Sequence, residues 1–117
     1  MIRLLESARL AELAARAADE RKASDTVVLD LRERSPLADF FVVTSGTSTP
    51  HLRAIAEHVE QALEAAGARR PRREGGDGAR WILLDYGDVV VHIFHHAERE
   101  FYALEALWDG PPPKTAP

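Results

Sequence analysis

The 117-residue chain contains no cysteine. Disulfide staples, thiolate metal ligands and a cysteine nucleophile are therefore excluded. No apolar run reaches the roughly 18 residues that a membrane-spanning helix needs, and neither GxxxxGK[ST] nor GxGxxG occurs, so no nucleotide fingerprint is present. HExxH and GxSxG are missing as well, which removes the usual signatures of a zinc protease and of a serine hydrolase. The N-terminal "MIRLLESARLAELAARAADER" mixes charge into an apolar pattern of helical period and lacks the uninterrupted apolar stretch of a signal peptide. A cytoplasmic location is expected.

What is present suits one globular domain. Apolar residues make up 45% and charged residues 29%, an ordinary balance. The net charge of −4 conceals an asymmetry, because residues 69–80, "RRPRREGGDGAR", hold five Arg against Glu74 and Asp77, whereas 81–109 hold six acids against Arg99 alone. A basic segment beside an acidic one suits a surface that meets both phosphate and a basic protein, and equally suits two solvated faces without partners.

Periodicity supplies the elements. Residues 2–22 read as an Ala-rich helix with a thin apolar stripe. "TVVLDL" (26–31) and "FFVVTSG" (40–46) read as strands, separated by a loop at Ser35-Pro36. A helix from Pro50 to Ala66 places Leu52, Ile55, Ala56, Val59 and Leu63 on one face, with Ser48 or Thr49 as cap and Gly67 as terminator. Pro71 allows at most an edge strand over 68–74. "WILLDYGDVVVHIF" reads as an antiparallel hairpin, strands 80–86 and 88–94 meeting at Tyr86-Gly87. A last helix is expected from Ala97 to Trp108. The fold class is thus α/β, a mixed β-sheet with helices packed on it. The domain is expected to span 1–108, followed by a disordered Pro-rich tail, 109–117.

Few residues carry a chemical pattern. In "TSGTSTP", Thr44 to Pro50, helix capping explains every residue, although backbone N–H groups at a helix start also suit an anion. His51, His58, His92, His95 and His96 have no metal-ligand spacing, and His92 reads as a hydrogen-bonded sheet residue. Asp85 and Asp88 bracket the hairpin turn. Paired acids one residue apart on a strand hold Mg²⁺ in nucleotidyltransferases, but here the spacing is Asp-Tyr-Gly-Asp, without a third acid or a phosphate loop. A Mg²⁺-dependent nucleotidyltransferase using these acids and the "TSGTS" turn is therefore the weaker alternative. Turn formation, or charge-assisted contact with Arg or Lys of a partner, fits better. Self-pairing of the hairpin edge into a homodimer is a further alternative.

The segments "ADFFVVTSGTSTPHLRAIAEHVEQAL", "WILLDYGDVVVHIF" and "EREFYALEALW" resemble the ribosomal silencing factor (Iojap) family in order and spacing, over roughly residues 7 to 108. The resemblance implies a nucleotidyltransferase-like fold without its catalytic residues, no cofactor or metal, and no reaction. It implies a translational repressor that binds the large ribosomal subunit through its fourteenth protein and blocks association with the small subunit. It also implies, from organellar relatives, a part in large-subunit biogenesis. Carried onto this chain, the partner-binding residues are expected to be Trp81, Asp85, Tyr86, Asp88 and His92, with Glu98 and Arg99. Trp81 and Tyr86 would be the anchors and the two Asp would meet basic side chains. Arg69, Arg70, Arg72 and Arg73 are expected to touch adjacent ribosomal RNA through phosphates.

Overall fold

Two helices lie on one face of a mixed sheet in the computed structural model, which describes residues 6–76, 78–97 and 114–115. Helix α1 spans Ser7–Glu20, and its stripe is mostly alanine: Ala11, Ala14, Ala15, Ala17 and Ala18 are all buried, with Leu10 beside them. Small side chains allow α1 to lie close against α2, Thr49–Ala65. Helix α2 presents Leu52, Ile55, Ala56, Val59 and Leu63, the face expected from their spacing, and each is fully buried.

Both ends of α2 follow from local chemistry. Of the two candidate caps Ser48 is the one used: its Oγ accepts from the His51 amide at 3.1 Å, while Thr49 is already helical. At the other end Gly67 adopts φ +98°. The Ala68 amide donates to the Leu63 carbonyl at 2.9 Å and that of Gly67 to Glu64 at 3.0 Å, the two bonds of a Schellman motif. Ser48→Ala is expected to destabilise the protein by about 1 kcal/mol in urea unfolding, whereas Thr49→Ala leaves the cap bond in place. Equal losses in the two variants would contradict this assignment.

The strands are β1 Ser24–Asp30, β2 Phe40–Gly46, β3 Arg72–Glu74, β4 Trp81–Asp85, β5 Val89–His95 and β6 Lys114–Thr115. Their order in the sheet is β3-β4-β5-β2-β1-β6. β2 and β5 are parallel; every other pairing is antiparallel. The Pro71-limited strand is indeed at an edge, and β4–β5 is the hairpin read from the sequence. β6 departs from expectation, since Lys114 and Thr115 pair with Val28 and Val27 inside the tail expected to be disordered. The expected closing helix, 97–108, lies outside the described residues.

Alternation along the strands divides the core in two. Phe40, Val42, Ile82, Leu84, Val89, Val91 and Ile93 face α1 and α2. Leu29, Val43 and Phe94 form a second cluster, against which Val27, Leu31, Phe41 and Trp81 pack.

Candidate functional site

The hairpin turn is built by its own residues. The Tyr86 amide donates to the Val89 carbonyl at 2.9 Å and closes the two strands. Gly87 sits at φ +90°, a conformation that disfavours side chains. The Asp85 Oδ1 accepts from the Gly87 amide at 2.8 Å, so this carboxylate is partly committed to shaping the turn. Its Oδ2 lies 3.5 Å from Arg72 Nη2 on the paired strand β3. Asp88 is exposed. Its carbonyl accepts from the amides of Asp39 at 2.7 Å and Phe40 at 3.0 Å, which fastens the tip to the loop before β2.

Around this tip the chain forms a cleft of about 440 Å³. Asp85, Tyr86, Gly87 and Asp88 make one wall, and Gly67 to Arg70 with Arg72, following α2, make the other. Ser7 and Leu10 of α1 close it. The acidic pair and part of the arginine cluster, separate in sequence, therefore share one end of the sheet. Arg73 alternates to the other side of β3 and pairs with Glu60 of α2 at 3.0 Å, which makes it a bracing residue. Arg72 also reaches Glu74 at 3.4 Å. Of the four arginines expected to meet RNA, Arg69 and Arg70 are exposed at the cleft without being drawn into those pairs.

Of the other expected site residues, Tyr86 shares the cleft wall, whereas Trp81 and His92 lie farther along the sheet. Tyr86 turns its ring toward the helix-side core, and its hydroxyl is buried without a hydrogen-bond partner among the described residues. Burial, then the nearby Glu60 and Glu64, push this phenol well above its ordinary range. Trp81, at the far end of β4, is half-buried and stacks on Phe94 at 5.0 Å. His92 is 5% exposed and lies beside both rings, 5.8 Å from Trp81 and 6.2 Å from Phe94, with Phe41 edge-on at 4.6 Å. Neither of its ring nitrogens has a partner among the described residues, so the expected hydrogen-bonded sheet histidine is instead a neutral ring held in an aromatic stack. Burial lowers its pKa to about 4, with Asp85 acting in the opposite sense. Alternation in "VVVHIF" reveals the face His92 occupies, but not that aromatic rings surround it. Glu98 and Arg99 lie outside the described residues.

The remaining candidates resolve toward structure. In the Thr44–Pro50 turn the Thr47 amide donates to His51 Nδ1 at 2.9 Å, leaving His51 Nε2 to donate to the Arg21 carbonyl at 2.7 Å. This ring ties the end of α1 to the start of α2. A Cβ on Gly46 would come within 2.9 Å of Leu52 Cδ1, so the glycine admits the helix rather than a ligand. No group of three His, Asp or Glu among the described residues is placed to hold a metal ion. β5 is an interior strand and β4 is covered by β3 from Leu83 to Asp85, so the hairpin edge expected as a route to self-pairing is largely closed. Leu37 escaped sequence reasoning. It is a large apolar side chain, 86% exposed, in the loop fastened to the hairpin tip.

Comparison with known proteins covers almost the whole chain. A family model described as "Ribosomal silencing factor during starvation" matches residues 5–117. A ribosomal silencing factor of Halalkalibacterium halodurans is 41% identical over 108 residues, 92% of either chain. That of Bacillus subtilis is 42% identical over 101 residues, 86% of either chain. A mouse protein named for mitochondrial assembly of the ribosomal large subunit is 33% identical over 76% of this chain and 40% of its own length. The crystal structure of a Chromobacterium violaceum protein superposes with a TM-score of 0.85 at 34% identity, covering 97% of this chain and 94% of that one. One from Bacillus halodurans gives 0.77 at 41% identity, covering 87% and 95%. Likeness of this extent reaches from α1 through the hairpin to the tail, and the chain belongs to the ribosomal silencing factor family.

Proposed function

We propose that the protein is a translation regulator that binds the large ribosomal subunit through its fourteenth protein and, by its bulk, keeps the small subunit from joining. The observation that carries this reading is the match of almost the whole chain to a family named for silencing ribosomes during starvation. The mouse relative's name, which refers to assembly of the large subunit, favours that subunit over the small one and supports a second role in its biogenesis. The reading requires no catalysis, metal or cofactor, and a protein acting on ribosomes here would work in the cytoplasm.

The docking surface in this proposal is the hairpin end of the sheet. Asp88, exposed at the tip, and Asp85 beside it meet basic side chains of the partner, while Arg69 and Arg70 across the cleft reach phosphates of adjacent RNA. Trp81 and His92 contribute from behind, as the packed support of β4 and β5, and Tyr86 anchors the turn to the helix layer. Such a surface needs about 800 Å² per partner for a specific complex. The test is sedimentation of the purified chain with separated subunits. Recovery with the large subunit alone is expected; recovery with the small subunit, or with neither, would refute the proposal.

A further inference from the structure

The loop that precedes β2 holds Leu37 outward on a stiff support. The Ser35 Oγ accepts from the Leu37 amide at 3.1 Å, and Pro36 between them fixes the backbone turn. On one side the Ser35 amide donates to the Leu31 carbonyl at 3.0 Å; on the other Ala38 is buried and Asp39 is bonded to the Asp88 carbonyl at 2.7 Å. Single exposed apolar residues are common on protein surfaces, so exposure alone says little. Leu37 differs in its placement. It is the large hydrophobic side chain that the described residues leave exposed, at 86%, and it stands two residues from the bond that joins this loop to the hairpin tip. Asp39 and Asp88 are joined at this loop through their main chains; the Asp88 carboxylate is exposed, the Asp39 carboxylate accepts from Ser7 Oγ at 2.7 Å, and Asp85 shapes the turn behind them. An apolar knob on a preorganised loop loses little freedom on docking, and acids beside it select a basic surround.

We propose that Leu37 is an apolar anchor of the docking end, seated in an apolar socket on a protein partner whose rim is basic. This rests on the reading of the hairpin tip as the docking surface and adds a contact that the acidic pair of this chain's hairpin does not supply. The experiment titrates purified large subunits with the full-length chain and with Leu37→Ala, Leu37→Asp and Asp88→Lys variants, at low and at raised salt. Thermal melts establish that each variant folds, which the exposure of both side chains favours.

Leu37→Ala is expected to weaken binding about tenfold at both salt concentrations, as removal of an apolar contact should, and Leu37→Asp to weaken it further. The loss from Asp88→Lys should instead shrink as salt rises. Leu37→Ala binding within about twofold of the parent while Asp88→Lys fails would overturn the anchor and leave the docking end standing. Parent-like binding by all three variants would overturn both. A dimer of the parent chain in light scattering, dissolved by Leu37→Asp, would make a second copy the occupant and overturn the basic partner.

Discussion

Asp88→Lys is expected to weaken binding to the large ribosomal subunit by about a hundredfold or more, close to 3 kcal/mol, with the fold retained. The two parts of this expectation have separate grounds. Asp88 holds the structure through its main chain: its carbonyl accepts from Asp39 and Phe40, and those bonds survive any side chain at this position. The carboxylate is exposed at the tip of a hairpin whose turn is set by Gly87 and Asp85. Reversing its charge therefore replaces attraction to a basic partner by repulsion without disturbing packing. Asp85→Lys is a poorer test, because Asp85 Oδ1 holds the Gly87 amide and Oδ2 faces Arg72, so loss of binding there would mix docking with distortion of the turn. Circular dichroism and titration of large subunits separate the two effects. Undiminished binding by a folded Asp88→Lys chain would remove the hairpin tip from the interface.

The second expectation concerns stability. His92 is buried among Phe41, Trp81 and Phe94, and its folded pKa of about 4 lies below the ordinary value of 6.5. Above the ordinary value both folded and unfolded chains hold the ring neutral, and the contribution is constant. Between 6.5 and about 4 the unfolded chain binds a proton that the folded chain refuses, so stability falls as pH falls. The loss from this one ring approaches about 3 kcal/mol at the bottom of that window. Phenylalanine keeps the aromatic contact and cannot be protonated. Urea unfolding of the parent and of His92→Phe between neutral pH and pH 4 should therefore diverge, the parent losing more stability while carboxylates titrate alike in both. Parallel curves would mean that the His92 ring is reached by solvent or by a proton acceptor.

Sequence periodicity revealed most where each signal was local. The stripe from Leu52 to Leu63, Pro50 near the start and Gly67 past the end define α2 to within a residue, because capping and termination are decided by neighbours. Pro71 likewise confined β3 to an edge, since proline has no amide to donate to a second neighbour. Long-range pairing left weaker traces. The parallel alignment of β2 with β5 joins segments more than forty residues apart in sequence, and no local pattern encodes it. Lys114–Thr115 follows three prolines and carries no strand signal, yet pairs with β1.

The site divides in the same way. Asp85, Asp88 and the arginines stood out by charge, but only the fold separates Arg69 and Arg70, at the cleft, from Arg73, tied to Glu60. Trp81 and His92 stood out by residue type, and the fold adds that both rings pack with Phe94 on one face of the sheet. Leu37 sits in a loop read only as a break between strands, where no periodicity tells that Leu37 is exposed and Ala38 buried.

The central claim, a steric block to subunit joining, is tested most directly by order of addition. Purified large subunits are incubated with the full-length chain, small subunits are added, and joined ribosomes are resolved on a sucrose gradient. The account predicts that the chain travels with the large subunit and that joined ribosomes decline in proportion to it, whereas adding the chain after joining has little effect. Binding to the large subunit with joining undiminished would contradict the block and leave subunit biogenesis as the function.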